Sequence, residues 1–266
     1  MREGSMDLGL EGKVALVSGG NRGIGLAIAR RLAAEGCNLM LVARDEDALA
    51  TAARTIVAET ARRVEVFAAD IGTRAGIDAA AAAIEKAYGH IDILINNAGS
   101  PVTGDFLELD DAAWQKAFAV KVFGCVRLSR ALWPMLKESH GAVINMSGTK
   151  NYLPAPGGAI GGAMNAAVTN FSKVLANQGL IDDVNVNTIH PGIILGALDD
   201  RNVAAQAKLR AISADEIKTT RLAALGVRRF GEAEDVADVV AFLVSPVARH
   251  IQGTNTVIDG GNRRMI

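Results

Sequence analysis

The sequence predicts a single α/β domain built on a parallel, doubly wound, seven-stranded sheet of Rossmann type, with helices on both faces. Three observations carry that prediction. Short apolar runs alternate with amphipathic helical stretches along nearly the whole chain; a glycine-rich stretch, Ser18-Gly19-Gly20-Asn21-Arg22-Gly23-Ile24-Gly25, joins the first run to the first helix; and no linker, repeat or low-complexity tract interrupts the alternation. Parallel strands need crossover connections, which the helical stretches supply. A chain of 266 residues, half of them hydrophobic, can bury one large core.

Residues 1–9 are expected to lie outside the domain, as a disordered or appended N-terminus, and residues 10–266 to form it. The first strand is expected over 13–17 and the first helix over 24–35, stopped by Gly36. A strand over 38–43, a helix over 45–62 and a short strand over 64–69 follow, with Asp70 at the end. An alanine-rich helix over 75–88 is closed by Gly89, and the apolar run 91–95 leads into Asn96-Asn97-Ala98-Gly99. One long helix is expected over 110–137, because Trp114, Phe118, Val122 and Leu128 recur at helical spacing, with Pro134 in its last turns. A strand over 142–147 precedes a loop rich in proline and glycine, then come a helix over 159–179 and a strand over 184–189. Past Pro191-Gly192, residues 197–227 read as one or two polar-faced helices of the kind that form a lid. A helix over 232–245 and a last strand over 255–258 complete the pattern.

Charge and cysteine content narrow the function. The 28 basic and 29 acidic side chains leave a net charge of −1, so neither nucleic acid nor an anionic membrane is an expected partner; a small-molecule substrate is. The two cysteines, Cys37 and Cys125, have no metal-type spacing, and no carboxylate pair or His/Cys cluster suggests a metal. No apolar run is long enough to span a membrane, and a cytoplasmic location is expected.

The glycine-rich stretch has the design of a dinucleotide clamp. Glycines at 19, 23 and 25 let the backbone turn tightly, approach a pyrophosphate and pack the new helix on the sheet, while free N–H groups at the helix start face the anion. With Asp70, Asn96-Asn-Ala-Gly99, Pro191-Gly192, Arg229-Phe-Gly231 followed by Asp235-Val236-Ala237, and Asp259-Gly-Gly261, the chain resembles the short-chain dehydrogenase/reductase family over almost its entire length. The resemblance implies hydride transfer between a nicotinamide cofactor and a carbonyl or alcohol, in a homodimer or homotetramer. It implies that Gly19, Asn21, Arg22, Gly23, Ile24 and Gly25 hold the pyrophosphate end, and Asp70 and Ile71 the adenine. Asn97, Ala98 and Gly99 would serve the ribose region, and Ile193, after Pro191 and Gly192, the carboxamide. The end of the second strand carries Ala43 where an NAD-binding site of this type places a carboxylate, and Arg44 follows it with Arg22 on the same side. Two guanidinium groups suit a 2′-phosphate, so NADP(H) is expected over NAD(H).

The same resemblance implies a serine, a tyrosine and lysine four residues apart, and an asparagine as the catalytic group. The tyrosine moves the proton, the lysine lowers its pKa, the serine holds the substrate oxygen and the asparagine anchors a water relay. Aligned on Asn165-Ala166-Ala167-Val168, those positions are Gly148, Gly161, Asn165 and Lys121, so all four side chains differ. Lys121 and Asn165 exchange the family's amide and ammonium between two helices. Tyr152, in the loop with Lys150, is the candidate replacement acid, with Lys121 as the charge that tunes it. His190 is expected to be a core histidine. Three functions follow: an NADP(H)-dependent oxidoreductase of a carbonyl/alcohol or imine/amine pair with a non-standard proton donor, a cofactor-binding protein or subunit without catalysis, and a non-redox lyase or isomerase on the same scaffold.

Overall fold

The computed structural model describes residues 6–99 and 102–264, with the side chains of 197–202 and 205 outside that description. Seven parallel strands form one sheet in the order β3-β2-β1-β4-β5-β6-β7. They are β1 (Val14–Ser18), β2 (Asn38–Ala43), β3 (Val64–Ala68), β4 (Ile93–Asn96), β5 (Ala142–Met146), β6 (Asn185–Pro191) and β7 (Asn255–Ile258). Every residue of β1, β4 and β5 is buried, as strands covered by helices on both faces require. Register is continuous across the centre: Leu16 of β1 pairs with Met40 of β2 on one side and with Leu94 of β4 on the other.

On one face, α1 (Gly23–Ala34) packs beside α9 (Ala233–Leu243), burying Ile28, Leu32, Val236 and Val240 in a core shared with α2 (Glu46–Thr60). On the other face, α3 (Arg74–Tyr88) supplies Ile77 and Ile84, and α5 (Gly124–Glu138) supplies Leu128, Leu132 and Leu136. Helix starts are fixed where a short polar side chain accepts an N–H of the first turn: Asp45 from Ala48, Thr73 from Gly76, and Asp110 from Ala113. Pro134 lies inside α5, four residues before its end.

Two expectations change. The long helix predicted over 110–137 is not uniform: α4 (Asp111–Phe118) and α5 are joined by a five-residue π-helical segment, Ala119–Phe123, that contains Lys121. A wider turn places one extra residue on the inner face, a feature that recurs at functional sites. Residues 6–9, expected to lie outside the fold, belong to it in part, because Leu8 is 6% exposed and joins the core around α1 and α9; residues 1–5 lie outside the described residues. The segment read as a lid is two helices, α7 (Ala197–Arg210) and α8 (Ala214–Leu225), the second opened by a Ser213–Glu216 capping box. Between β5 and β6 runs α6 (Ala159–Asp182). Among the described residues no helix is long and apolar enough to cross a membrane.

Candidate active site at the carboxyl edge of the sheet

The strand order reverses between β1 and β4, so the loops that follow them diverge and leave a crevice at the carboxyl edge of the sheet. Its floor is glycine. Gly25 has no room for a side chain, since a Cβ there would collide with the Gly19 carbonyl oxygen. Gly23 has φ +55° and faces open space, the gap through which a phosphate can approach the backbone. Arg22 stands at the N-cap of α1 with no side-chain capping bond, so the first N–H groups of the helix are unclaimed by a cap and point into the crevice. An intact cradle of this kind fits a dinucleotide pyrophosphate.

The crevice walls are tied to that loop. Ser18 Oγ donates to the Ile95 carbonyl and accepts from the N–H groups of Asn97 and Ala98 at 3.0 and 3.1 Å, and Asn97 Nδ2 donates to the Ser18 carbonyl. Asp70 uses Oδ1 to accept the Gly72 N–H at 2.9 Å, and Ile71 beside it is buried. Arg22 and Arg44 are both exposed, the first at the N-cap of α1 and the second directly after β2. Across the crevice, the Gly192 N–H donates to the Ile258 carbonyl and the Ile193 carbonyl accepts from Gly231, while no bond to the Ile193 N–H is made among the described residues. That free donor suits a carboxamide.

Beyond β5 the site is made of side chains from distant parts of the chain. A buried network holds the elements that carry them: Asn96 Nδ2 donates to Ser129 Oγ and Asn145 Oδ1, and Asn145 Nδ2 to Ser172 Oγ, which links β4, α5, β5 and α6. Ser147 turns away from the crevice, donating from Oγ to the Asn165 carbonyl at 3.0 Å. At Gly148 a Cβ would stand 2.8 Å from Asn165 Nδ2, so the Asn165 amide occupies the room a serine side chain would need. At Gly161 a Cβ would meet Lys150 Cδ at 3.2 Å and Nζ at 3.8 Å: the Lys150 chain lies along this face of α6.

Lys121 donates from Nζ to the Ser147 carbonyl at 2.9 Å, and its aliphatic chain covers Gly99. Burial, reinforced by the Lys150 charge and opposed by Cys125, pushes its ammonium down to about 8. Burial likewise raises the Cys125 thiol to about 12, which makes it inert as a nucleophile. His190 is fully buried, with Nε2 3.2 Å from Asn255 Oδ1 and Nδ1 3.5 Å from the Gly148 carbonyl. Its pKa is lowered, mainly by burial, against those two hydrogen bonds and in concert with the charges of Lys121 and Arg263.

The structure places Lys121 beside Ser147, Asn165 beside Gly148 and Lys150 beside Gly161. The Tyr152 ring lies tilted at 49° to that of His190, 5.0 Å between centroids, with the Arg263 guanidinium 4.0 Å above it. No hydrogen bond joins it to Lys121 among the described residues. In the sequence Lys150 stands out only as a neighbour of Tyr152, and Arg263 carries no signal: neither belongs to a spaced motif, and each reaches the site only through the chain's return to it.

The family model described as Enoyl-(Acyl carrier protein) reductase matches residues 19–263. This chain belongs to the short-chain dehydrogenase/reductase family. It is 35% identical to a galactitol 2-dehydrogenase (L-tagatose-forming) of Cereibacter sphaeroides, over 95% of each chain. The solved L-sorbose reductase of Gluconobacter frateurii, complexed with NADPH and L-sorbose, superposes with a TM-score of 0.95 at 33% identity, covering 98% of this chain and all of that one. An NADPH-bound short-chain oxidoreductase from Pseudomonas aeruginosa PAO1, described as containing an atypical catalytic center, superposes at 0.87 with 26% identity, covering 96% and 98%.

Proposed function

We propose that this protein is an NADP(H)-dependent oxidoreductase of a carbonyl/alcohol or imine/amine pair in which Lys150, in place of a tyrosine on α6, handles the proton. The observation that carries this reading is the course of the Lys150 side chain over Gly161. The bound nicotinamide supplies or accepts the hydride. Gly19, Gly23 and Gly25 would let its pyrophosphate reach the start of α1, Arg22 and Arg44 would pair with the 2′-phosphate, and the Ile193 N–H would orient the carboxamide. An oxygen that gains negative charge next to the Lys150 ammonium takes a proton from Nζ, leaving a neutral amine that solvent reprotonates. Lys121, fixed by the Ser147 carbonyl, adds a second positive charge that favours the negative charge developing on that oxygen. Tyr152 is the competing acid; its ring lies against His190 and Arg263, and no hydrogen bond joins its hydroxyl to Lys121 among the described residues. Family membership supports assembly as a homodimer or homotetramer.

A carbonyl and imine panel run with stereospecifically deuterated NADPH tests the activity through label in the product. Lys150→Met is expected to lower turnover by about a hundredfold or more with NADPH affinity unchanged, the range typical of a lost general acid. Tyr152→Phe is expected to keep most of it; the reverse outcome would transfer the role to Tyr152. A second reading, a cofactor-binding protein without turnover, is favoured by the absence of side chains at Gly148 and Gly161, and predicts saturable NADPH binding with no label transfer to any substrate.

A further inference from the structure

We propose that the substrate of this site carries a carboxylate, gripped by Arg263; the inference rests on the oxidoreductase reading and names its substrate class. Arg263 is placed by its backbone, whose N–H donates to Asp259 Oδ2 at 2.8 Å, while Asp259 Oδ1 accepts the Gly261 N–H. Asp259 thus shapes the turn after β7 and makes no ion pair with the guanidinium among the described residues. The guanidinium lies 4.0 Å over the Tyr152 ring, and its Nε is buried with no hydrogen-bond partner.

Among the described residues Arg263 is the one arginine whose Nε is buried without a hydrogen-bond partner. Arg30 pairs with Glu59, Arg62 with Glu11, Arg229 with Asp235 and Arg249 with Asp183. A buried cationic N–H without an acceptor is costly, and the two terminal amino groups of this guanidinium, which are not buried, make no hydrogen bond among the described residues. Stacking on Tyr152 covers a face of the guanidinium and leaves its N–H edge, the geometry that binds a carboxylate through two parallel hydrogen bonds.

The surroundings select the sign of the ligand. Lys121 and Arg263 both lie close enough to His190 to disfavour its protonation, and Lys150 adds a third cation beside Lys121. None of the three cations forms an ion pair among the described residues. The cofactor's own extra phosphate is accounted for at the other end of the crevice by Arg22 and Arg44. An oxo acid or imino acid would place its carboxylate on Arg263 and its reacting carbon near Lys150.

The test uses the full chain saturated with NADP+ and titrated calorimetrically with malonate, an unreactive carboxylate, and with dimethyl malonate. Saturable binding of malonate, absent for the ester and weakened by salt, is expected, with about a tenfold loss in Arg263→Gln and partial recovery in Arg263→Lys, as for removal of one charge-assisted pair. Equal binding of acid and ester, no binding of malonate, or an Arg263→Gln protein that binds it as well as the parent would overturn the proposal. Arg263→Gln that leaves malonate binding intact but changes the mass seen by light scattering assigns the guanidinium to a contact between copies, and also overturns it. Circular dichroism checks that each variant is folded. Should NADP+ fail to bind while malonate still does, the oxidoreductase reading falls and the carboxylate site stands.

Discussion

The two ends of the crevice are built on different principles. The nucleotide end is made of backbone: Gly19, Gly23 and Gly25 work by having no side chain, and their partners, Ser18 and Asn97, lie at the ends of two adjacent strands. The other end is made of side chains, Lys121 from a π-helical turn, Lys150 from the loop after β5, Asn165 from α6 and Arg263 from the turn after β7. A backbone cradle has few chemical solutions, whereas a group that holds or moves a proton can be supplied from several directions. One end can thus keep its form while the other exchanges its residues.

The contrast can be broken most sharply at Gly25. Gly25→Ala sets a Cβ against the Gly19 carbonyl oxygen, and the loop must open to admit it. Overpacking of this kind costs roughly 1–3 kcal/mol, so NADPH affinity is expected to fall about tenfold to a hundredfold in a fluorescence titration, with the far-ultraviolet spectrum retained. Retained affinity would mean the cradle is more pliable than its geometry implies.

Next in size is the 2′-phosphate. Arg44→Ala is expected to weaken NADPH about tenfold while leaving NADH unchanged, because a lost charge-assisted contact acts only on the ligand that carries the phosphate. An equal effect on both cofactors would remove the case for NADP(H).

Lys121 gives a pH signature. Its folded pKa, about 8, lies below the ordinary lysine value of 10.5. Charging it therefore opposes folding: the penalty is fully present below about pH 8 and disappears as pH rises from 8 to 10.5, so this group makes the protein more stable across that interval. Lys121→Met is expected to lessen the rise in Tm over that window, measured by calorimetry against the parent protein. An unchanged slope would show that the ammonium is solvated.

The smallest effect is the most diagnostic. Gly161→Ala introduces a Cβ 3.2 Å from Lys150 Cδ, the flexible stem of a long chain, which can shift by a few tenths of an ångström. Alanine also suits a helix better than glycine by roughly 0.5–1 kcal/mol. Turnover is expected to fall a few-fold by displacing Lys150 while thermal stability holds or rises, a split that a purely structural role for Lys150 would not produce.

Much of this molecule was legible in its sequence. The parallel sheet follows from the alternation of apolar runs and helices, because parallel strands demand crossovers, and the tight turn after the first strand follows from the glycines at 19, 23 and 25, because only glycine fits both the turn and the close approach. His190 was expected in the core and is fully buried. The π-helical turn around Lys121 was not legible, since apolar spacing of three and four residues reads the same through a one-residue bulge.

Sequence by itself determined the scaffold and the glycine-rich turn between the first strand and the first helix. Only the tertiary structure decided which side chains meet beyond β5: Lys150 over Gly161, the Asn165 amide against Gly148, and Arg263 on the face of Tyr152. The physical reason is range. Backbone geometry is written in neighbouring residues, while an ammonium on a long, flexible stem takes its position from contacts that exist only after the chain has closed on itself.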